Sequence, residues 1–362
     1  MSLVNISHQR LHQLQISSVP FTTPAQVVAS LGAVQAQDYA GFKWSVGLRL
    51  PSATDSDIEA ALADRSIVRT WALRNTLHTL AAEDVHWVLT LLSERLIGQH
   101  AFYYKQQELD LKTIRKSQQI LQRTLENGQQ LTRKEIAVAL EKKGIALGDM
   151  RLTFILLRAA LDKVICLGAR REKEFTYTLL DEWITAPKEI MDHEEALAKL
   201  ATIYFTGHGP ATIKDFAWWT GITATEAKKG LEMIQVQLTS TNTDGQTYWM
   251  APGITPDKNK VKGVFLLPGF DEYLLGYTDR SAAMEDEIFR KVVYTKNGLF
   301  NPTIVVNGRI EGLWKRTIKK NSVVIDLQPF TPFSKARLNA VAVQAKRYAK
   351  FLELKPVLPF ME

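Results

Sequence analysis

Apolar and polar residues follow the same order three times along the chain: two short amphipathic helices and then a pair of strands. The order is clearest near the middle, where Thr132 and Glu135 form a capping box that opens a helix and Gly144 ends it. A second helix and two short strands around the polar turn 169–174 follow. Two helices followed by a hairpin are the outline of a winged helix-turn-helix.

A later copy of this order begins near Pro210, which suits the first turn of a helix, and Gly221 suits its end. Thr223 and Glu226 form another capping box, and the Asp-Gly pair 244–245 predicts a turn between two strands. These signals predict a second module of the same kind.

The N-terminal copy is less regular. Thr23 and Pro24 predict a helix start, and Ser56 and Glu59 predict the cap of another helix. The segment IVRTWALRNTLHTL then supplies paired strands.

From Val261 onward the pattern becomes strand-rich, and it closes with a basic helix. The chain is therefore predicted to be an α+β protein of three tandem winged helix-turn-helix modules with a strand-rich C-terminal part. The predicted boundaries are 1–100 for the first module, 101–190 for the second with its linking helix, 191–260 for the third, and 261–362 for the C-terminal part.

The net charge of the 362 residues is +7, which favours a polyanionic partner only where the charge is concentrated. Basic clusters stand on the second hairpin, at 170–173, and beside a later hairpin, at 315–320. The segment 335–350 contains basic residues and no acidic one. Each cluster by itself is equally typical of a solvated surface, but several clusters on winged-helix modules favour nucleic acid.

The single cysteine, Cys166, lies in an apolar run, which excludes an intrachain disulfide and favours a small buried side chain. No segment has the length and apolar character of a signal peptide or a membrane span. No group of His, Cys, Asp or Glu has metal-ligand spacing, so no cofactor is predicted. A soluble cytoplasmic protein is expected.

Two glutamines, Gln35 and Gln37, flank one alanine in GAVQAQDYAG. Residues two apart share a face in an extended segment but not in a helix, so a shared site requires non-helical backbone at Ala36. An amide cannot take up a proton at neutral pH, although it can hold and orient a water molecule. A glutamine pair that only ties a helix end to nearby backbone is the alternative.

The segments VQAQ, RTWALRNTLH, LPGFDEYLLGYTDR and NGRIEGLWKR resemble the AlkZ-like winged-helix DNA glycosylases, in this order and along nearly the whole chain. The resemblance implies three winged helices in a C-shaped array and excision of N7-alkylated purines, including interstrand crosslinks, without a metal. The family's Gln-apolar-Gln signature corresponds to Gln35, Ala36 and Gln37. One departure is Asn75, where the family more usually has glycine; asparagine tolerates a left-handed turn.

The resemblance and the basic clusters together indicate which residues would contact DNA. Alternation along the first hairpin places Arg74 and His78 on one face. Trp218 and Trp219 are predicted to be core, with stacking on a base as the alternative. The resemblance implies that GFDEYLLGYTDR helps to shape the DNA-binding face, and an internal ion pair of Asp279 with Lys315 or Arg316 is the alternative. The predicted DNA contacts are Arg69, Arg74, His78, Arg170, Arg171, Asp271, Tyr273, Arg280, Lys315 and Arg316.

The sequence therefore predicts a monofunctional DNA glycosylase that acts as a monomer on double-stranded DNA with alkylated purines, is nucleoid-associated and has no membrane partner. Gln35 and Gln37 would orient the water. A winged-helix DNA-binding protein without catalytic activity is the alternative. The residues leave open the preferred adduct, crosslink unhooking against monoadduct excision, and whether the base is flipped out.

Overall fold

The computed structural model describes residues 3–148, 150–253, 263–294 and 298–361. The first unit joins helices to three short strands. Its elements are α1 (Leu3–Gln13), α2 (Pro24–Leu31), β1 (Val34–Gln35), α3 (Tyr39–Gly47), α4 (Asp55–Ala63), β2 (Ile67–Trp71), β3 (Leu77–Ala81) and α5 (Val85–Gln99).

The third unit ends in a strand pair, and the second ends in a strand pair followed by one short helix. The second contains α6 (Ala101–Gln106), α7 (Leu111–Leu125), β4 (Leu131–Thr132), α8 (Arg133–Lys142), α9 (Arg151–Leu161), β5 (Ile165–Leu167), β6 (Thr176–Leu179) and α10 (Leu180–Trp183). The third contains α11 (His193–His208), α12 (Ile213–Thr220), α13 (Ala224–Ile234), β7 (Thr239–Thr243) and β8 (Gln246–Met250).

The C-terminal part is strand-rich, as predicted, and a long helix covers its sheet. Its elements are β9 (Val264–Leu267), α14 (Glu272–Leu275), α15 (Asp286–Ile288), β10 (Thr303–Val306), β11 (Arg309–Ile318), β12 (Ser322–Pro329), α16 (Lys335–Phe351) and β13 (Lys355–Val357). The predicted boundaries at 100/101 and 190/191 fall between helices. The boundary at 260/261 lies outside the described residues, and the division into modules stays a prediction.

Several local signals act as predicted. Both side-chain and backbone bonds of a capping box are present at Thr132 and at Thr223, and Gly221 ends α12 in the left-handed region with a φ of 81°. Thr23 caps α2, with Pro24 in its first turn. At the three helix starts the threonine side chain satisfies an amide group that the first helical turn leaves free.

Two helix starts differ from the prediction. Helix α4 is capped by Thr54 with Asp57, two residues before the predicted pair, and Glu59 instead accepts hydrogen bonds from other elements. Helix α12 is capped by Thr212 with Asp215 rather than starting at Pro210. At α4 two adjacent capping boxes are possible and the structure uses the earlier one, whereas at α12 Thr212 supplies the side-chain acceptor that Pro210 lacks.

The hairpins of the first and second units join in one six-stranded sheet with the order β1-β3-β2-β5-β6-β4. The connection between the units is an antiparallel pairing of Arg69 with Leu167. Strands β7 and β8 form a separate hairpin, and the C-terminal sheet has the order β13-β12-β11-β10-β9. The shared sheet fixes the second unit against the strands that carry the glutamines.

One buried ion pair connects the first unit to the C-terminal part. Arg49, which follows α3 and is fully buried, donates to both carboxylate oxygens of Asp271, at 2.8 and 3.0 Å. It also donates to the carbonyl oxygens of Leu14 and Ser45, and Asp271 caps α14 by accepting from the Tyr273 amide. The guanidinium and the carboxylate are thus satisfied inside the protein, as buried charges require.

Burial alone raises the pKa of the Asp271 carboxyl, but the charge and hydrogen bonds of Arg49, with those from Tyr273 and Ser45, outweigh it and hold the pKa below the usual range. A lowered carboxyl pKa stabilises the fold above the ordinary aspartate value of about 4. That stabilisation is lost as the pH falls through the lowered value.

The part of the chain that the structure describes has no helix that is both long and apolar enough to span a membrane. In the same part, no three His, Cys, Asp or Glu side chains are grouped to hold a metal ion. Cys166 is buried and free, as predicted.

We expect Asp271→Asn to lower the free energy of unfolding by about 3–5 kcal/mol, because it leaves the Arg49 charge buried without a partner. Urea denaturation at pH 7 measures this, and the difference from the wild type should shrink as the pH falls below about 4. The control is Glu194→Gln, which breaks the exposed pair with Lys229 and should change stability by about 1 kcal/mol or less. Equal losses in the two variants would contradict the central role of Arg49 and Asp271.

Candidate active site

The two glutamines lie where the chain passes from strand β1 to helix α3. Gln35 pairs with His78 of β3, and the Ala36 amide donates to the carbonyl of Leu77 at 2.7 Å. Helix α3 begins only at Tyr39, with Asp38 as its cap. Ala36 is therefore not helical, as a shared site for both amides requires.

The two amide side chains differ in exposure but face one cavity. Gln35 is 5% exposed, and its Oε1 accepts a hydrogen bond from the backbone amide of Gln37 at 3.1 Å. Gln37 is exposed. Gln35 is thus held in one orientation by the backbone, while Gln37 is open to solvent.

Arg69 of β2 fixes the backbone between the glutamines. Its Nε and Nη2 donate to the Ala36 carbonyl at 3.1 and 2.9 Å, and its guanidinium lies over the rings of Tyr39 and Phe175. Burial lowers the pKa of Arg69 to about 10, so it stays charged at neutral pH. Arg69 is only 4% exposed, which corrects its predicted role: it positions the glutamine segment instead of contacting DNA.

The cavity beside the glutamines has a volume of about 490 Å³. Its described lining combines amide, aromatic and guanidinium groups and contains no Asp, Glu or His. The lining residues are Gln35, Gln37, Arg74, Thr76, Trp218, Phe270, Leu275, Thr278, Arg280, Phe289, Tyr294, Gly298, Leu299 and Phe300.

The connection between β2 and β3 turns Arg74 toward this cavity. Arg74 and Asn75 have φ values of 53° and 59°, so the left-handed turn predicted at Asn75 is confirmed. This backbone breaks the alternation that placed Arg74 on one face with His78. Arg74 is half-buried, and its guanidinium lies over Trp218 and donates to the carbonyl of Trp219.

The tandem tryptophans of α12 have different roles. Trp219 is buried, and its Nε1 donates to Glu272 at 2.8 Å, which confirms its prediction as core. Trp218 packs on the core but also lines the cavity. Base stacking, the alternative role for the tryptophan pair, stays a prediction. Phe270 was not among the predicted site residues, and its φ of 63° is rare for a bulky residue.

Three predicted DNA contacts lie in the interior, and we correct them accordingly. His78 is fully buried, Asp271 is 3% exposed and Tyr273 is 1% exposed. Burial, with the nearby charge of Arg74, lowers the pKa of His78 to about 3, so His78 is neutral. Tyr273 donates from its hydroxyl to the Gly308 carbonyl at 2.6 Å. These three side chains are part of the protein interior and are not among the described residues that line the cavity.

Of the basic residues of the second hairpin, Arg170 contacts the first unit and Arg171 pairs within the second unit. The Nη1 of Arg170 lies 3.5 Å from a carboxylate oxygen of Glu59. Its guanidinium also lies over the ring of Tyr39, a residue that is two positions after Gln37 in the chain. Arg171 is exposed and pairs with Glu135 at 2.8 Å. The hairpin is therefore beside the glutamine segment, and Arg171 is the more accessible of the two.

The hairpin of β11 and β12 lies on another side of the glutamine segment. Arg316 lies 3.4 Å from the carboxylate of Asp38, directly after Gln37, and Lys315 is exposed. Asp279 was considered as a partner for these cations, but its carboxylate instead accepts from the Ser281 amide and the Tyr248 hydroxyl. Arg316 is thus close to the glutamine segment, and Lys315 is its neighbour along β11.

Residues 28–351 match the model of the family described as DNA glycosylase AlkZ-like. The interstrand DNA cross-link repair glycosylase of Streptomyces sahachiroi is 25% identical over 345 residues, which cover 91% of this chain and 92% of that protein. The solved structure of Streptomyces sahachiroi DNA glycosylase AlkZ has the same fold, with a TM-score of 0.78, 24% identity and 99% of each chain covered.

These matches define the class as DNA glycosylases, hydrolases that act on N-glycosyl bonds. The chain belongs to the AlkZ-like DNA glycosylase family, since the family model covers most of its length. The resemblance stated from the sequence is confirmed.

We expect Arg69→Gln to slow base release by about 100-fold while DNA binding persists, because the Ala36 carbonyl loses the two hydrogen bonds that fix the glutamines. Single-turnover kinetics and equilibrium binding to the same duplex measure the two effects. The control is Arg65→Gln, whose guanidinium donates to the carbonyls of Glu182 and Trp183 instead. Equal rates for the two variants would exclude a positioning role for Arg69.

Proposed function

We propose that the protein hydrolyses the N-glycosidic bond of N7-alkylated purines in double-stranded DNA, with Gln35 and Gln37 orienting the attacking water. The observation that carries the proposal is the placement of both amides at one cavity by the non-helical backbone at Ala36. An amide pair supplies donors and acceptors for a water without removing its proton.

The chemistry suits a leaving group that is already activated. Alkylation at N7 makes the purine cationic, so the base takes the electrons of the C1′–N9 bond and departs neutral. Water adds its oxygen to C1′ and releases a proton to solvent. The described cavity lining has no Asp, Glu or His, which fits a reaction that needs a positioned water and no general acid.

The reaction would stop at the abasic site. A lyase step requires an amine that forms a Schiff base with C1′. No lysine stands among the described residues that line the cavity. This supports a monofunctional glycosylase.

The three helix-helix-hairpin units would be winged helices in a C-shaped array that holds the duplex as a monomer in the cytoplasm, at the nucleoid. Arg170, Arg171, Lys315 and Arg316 lie on two hairpins that flank the glutamine segment, and phosphate contacts would fix the register of the DNA. The name of the Streptomyces sahachiroi relative extends the proposal to unhooking of interstrand crosslinks.

The first test is release of 7-methylguanine from methylated duplex DNA. We expect Gln35→Ala and Gln37→Ala to reduce the rate by about 100-fold or more, because each removes a group that orients the water. Binding to the same duplex should persist. Gln129→Ala, at an exposed glutamine outside the cavity, serves as the control.

Full activity in both variants would make the glutamines structural. If the wild type released no base from methylated DNA or from a nitrogen-mustard crosslink but bound duplex, the chain would be a DNA-binding protein without this activity.

We also expect the rate to be independent of pH between about pH 5.5 and pH 8.5. Glutamines do not titrate, the pKa of His78 is about 3, and burial lowers the pKa of Arg74 to only about 10. The measurement is the single-turnover rate constant at each pH, divided by the rate constant for spontaneous loss of the same base at that pH. This ratio corrects for the effect of substrate ionisation on the rate. A bell-shaped profile centred near neutrality would indicate a general acid or base and contradict the mechanism.

A further inference from the structure

Two guanidinium groups share one indole in the cavity beside the glutamines. The guanidinium carbon of Arg74 lies 4.9 Å from the ring centre of Trp218, and that of Arg280 lies 5.3 Å from it. Arg280 also lies 4.5 Å from the ring centre of Phe289. Aromatic faces thus hold both cations at the wall of the cavity that contains Gln35 and Gln37.

The hydrogen bonds of the two guanidinium groups go to neutral acceptors. Arg74 donates to the carbonyl of Trp219, and Arg280 donates to the carbonyls of Leu274 and Thr278, at 2.9 and 3.2 Å. A guanidinium has five N–H groups, so each retains donors for a ligand. Over residues 3–148, 150–253, 263–294 and 298–361, neither forms an ion pair.

Three carboxylates act electrostatically on these two cations. Glu272 acts electrostatically on Arg74, but it is fully buried and accepts from Trp219. The charges of Asp215 and Asp286 act on Arg280 and raise its pKa, although neither carboxylate forms an ion pair with it. Asp215 is itself buried and accepts from Thr212 and Thr278. Asp286 is exposed, but none of the three carboxylates is among the described residues that line the cavity.

The two groups are charged at neutral pH, since burial lowers the pKa of each only to about 10. Two like charges in a half-buried cavity repel each other and favour an anion between them. They also disfavour the cationic N7-alkylated purine. In DNA the complementary group is a phosphodiester, whose oxygens suit the planar fork of arginine.

We propose that Arg74 and Arg280 together bind one phosphodiester group of the DNA, adjacent to the nucleotide whose base is released, and so position its C1′ at Gln35 and Gln37. The inference rests on the proposed function and specifies how the substrate is held. Both arginines are positioning residues, because they act through the backbone of the DNA. Trp218 keeps the two guanidinium groups on one side of the cavity.

The test uses duplexes with a single 7-methyl-2′-deoxyguanosine in which one phosphate, immediately 5′ or immediately 3′ of the lesion, is replaced by a neutral methylphosphonate. At saturating enzyme, single-turnover release by the wild type should slow about tenfold or more for one of the two replacements. In Arg74→Gln and Arg280→Gln the unmodified duplex should already be slow, and the same replacement should add less than about twofold.

The control is Arg115→Gln, which removes one positive charge from the exposed face of α7 and should keep the full methylphosphonate effect. Arg74→Lys and Arg280→Lys keep the charge but lose the fork, so they should recover part of the rate. Because the readout is the effect of the methylphosphonate within each variant, altered stability of a variant does not imitate it.

A methylphosphonate effect of equal size in the wild type, in Arg74→Gln and in Arg280→Gln would overturn the inference. The absence of any effect at both phosphate positions in the wild type would also overturn it. If the wild type released no base, the proposed function would fail separately, and binding of the same duplexes would decide the inference. One replacement should then weaken binding by the wild type and leave binding by Arg74→Gln and Arg280→Gln unchanged.

Discussion

The two hydrogen bonds from Arg69 to the Ala36 carbonyl are the interaction on which the site depends. They hold the chain at the point where β1 has ended and α3 has not begun, which is the conformation that turns both glutamines toward one cavity. The backbone of Arg69 also pairs with Leu167, so the same residue joins the first unit to the second. Moving Arg69 would therefore disturb the amides and the shared sheet together.

The second constraint is the buried pair of Arg49 and Asp271, which fixes the C-terminal part against the first unit. Phe270 directly precedes Asp271 and has a left-handed backbone conformation. At a bulky residue this conformation costs about 1–3 kcal/mol of conformational energy. The hydrogen bonds that Asp271 makes to Arg49, Ser45 and the Tyr273 amide hold this conformation. The aromatic ring of Phe270 then lines the cavity.

Charge is arranged differently inside and around the cavity. The cations on the flanking hairpins are partly neutralised: Arg171 by Glu135, Arg170 by Glu59 and Arg316 by Asp38. Arg74 and Arg280 instead donate to carbonyls, and among the described residues they form no ion pair, although Glu272 acts electrostatically on Arg74, and Asp215 and Asp286 on Arg280. Both guanidinium groups thus retain N–H donors in the cavity that holds the glutamines, where we propose that a DNA phosphate binds.

Local signals in the sequence determined the elements: the capping boxes at Thr132 and Thr223, the glycine at the end of α12 and the left-handed Asn75 act over a few residues, so they are legible in one sequence. The Gln-Ala-Gln segment was identified in the same way. Tertiary structure alone decided that Arg69, His78, Asp271 and Tyr273 lie inside and that Trp218 lines the cavity. Burial depends on partners more than a hundred residues away, such as Arg49 for Asp271 and Trp218 for Arg74, and local patterning carries no information about which distant elements will meet.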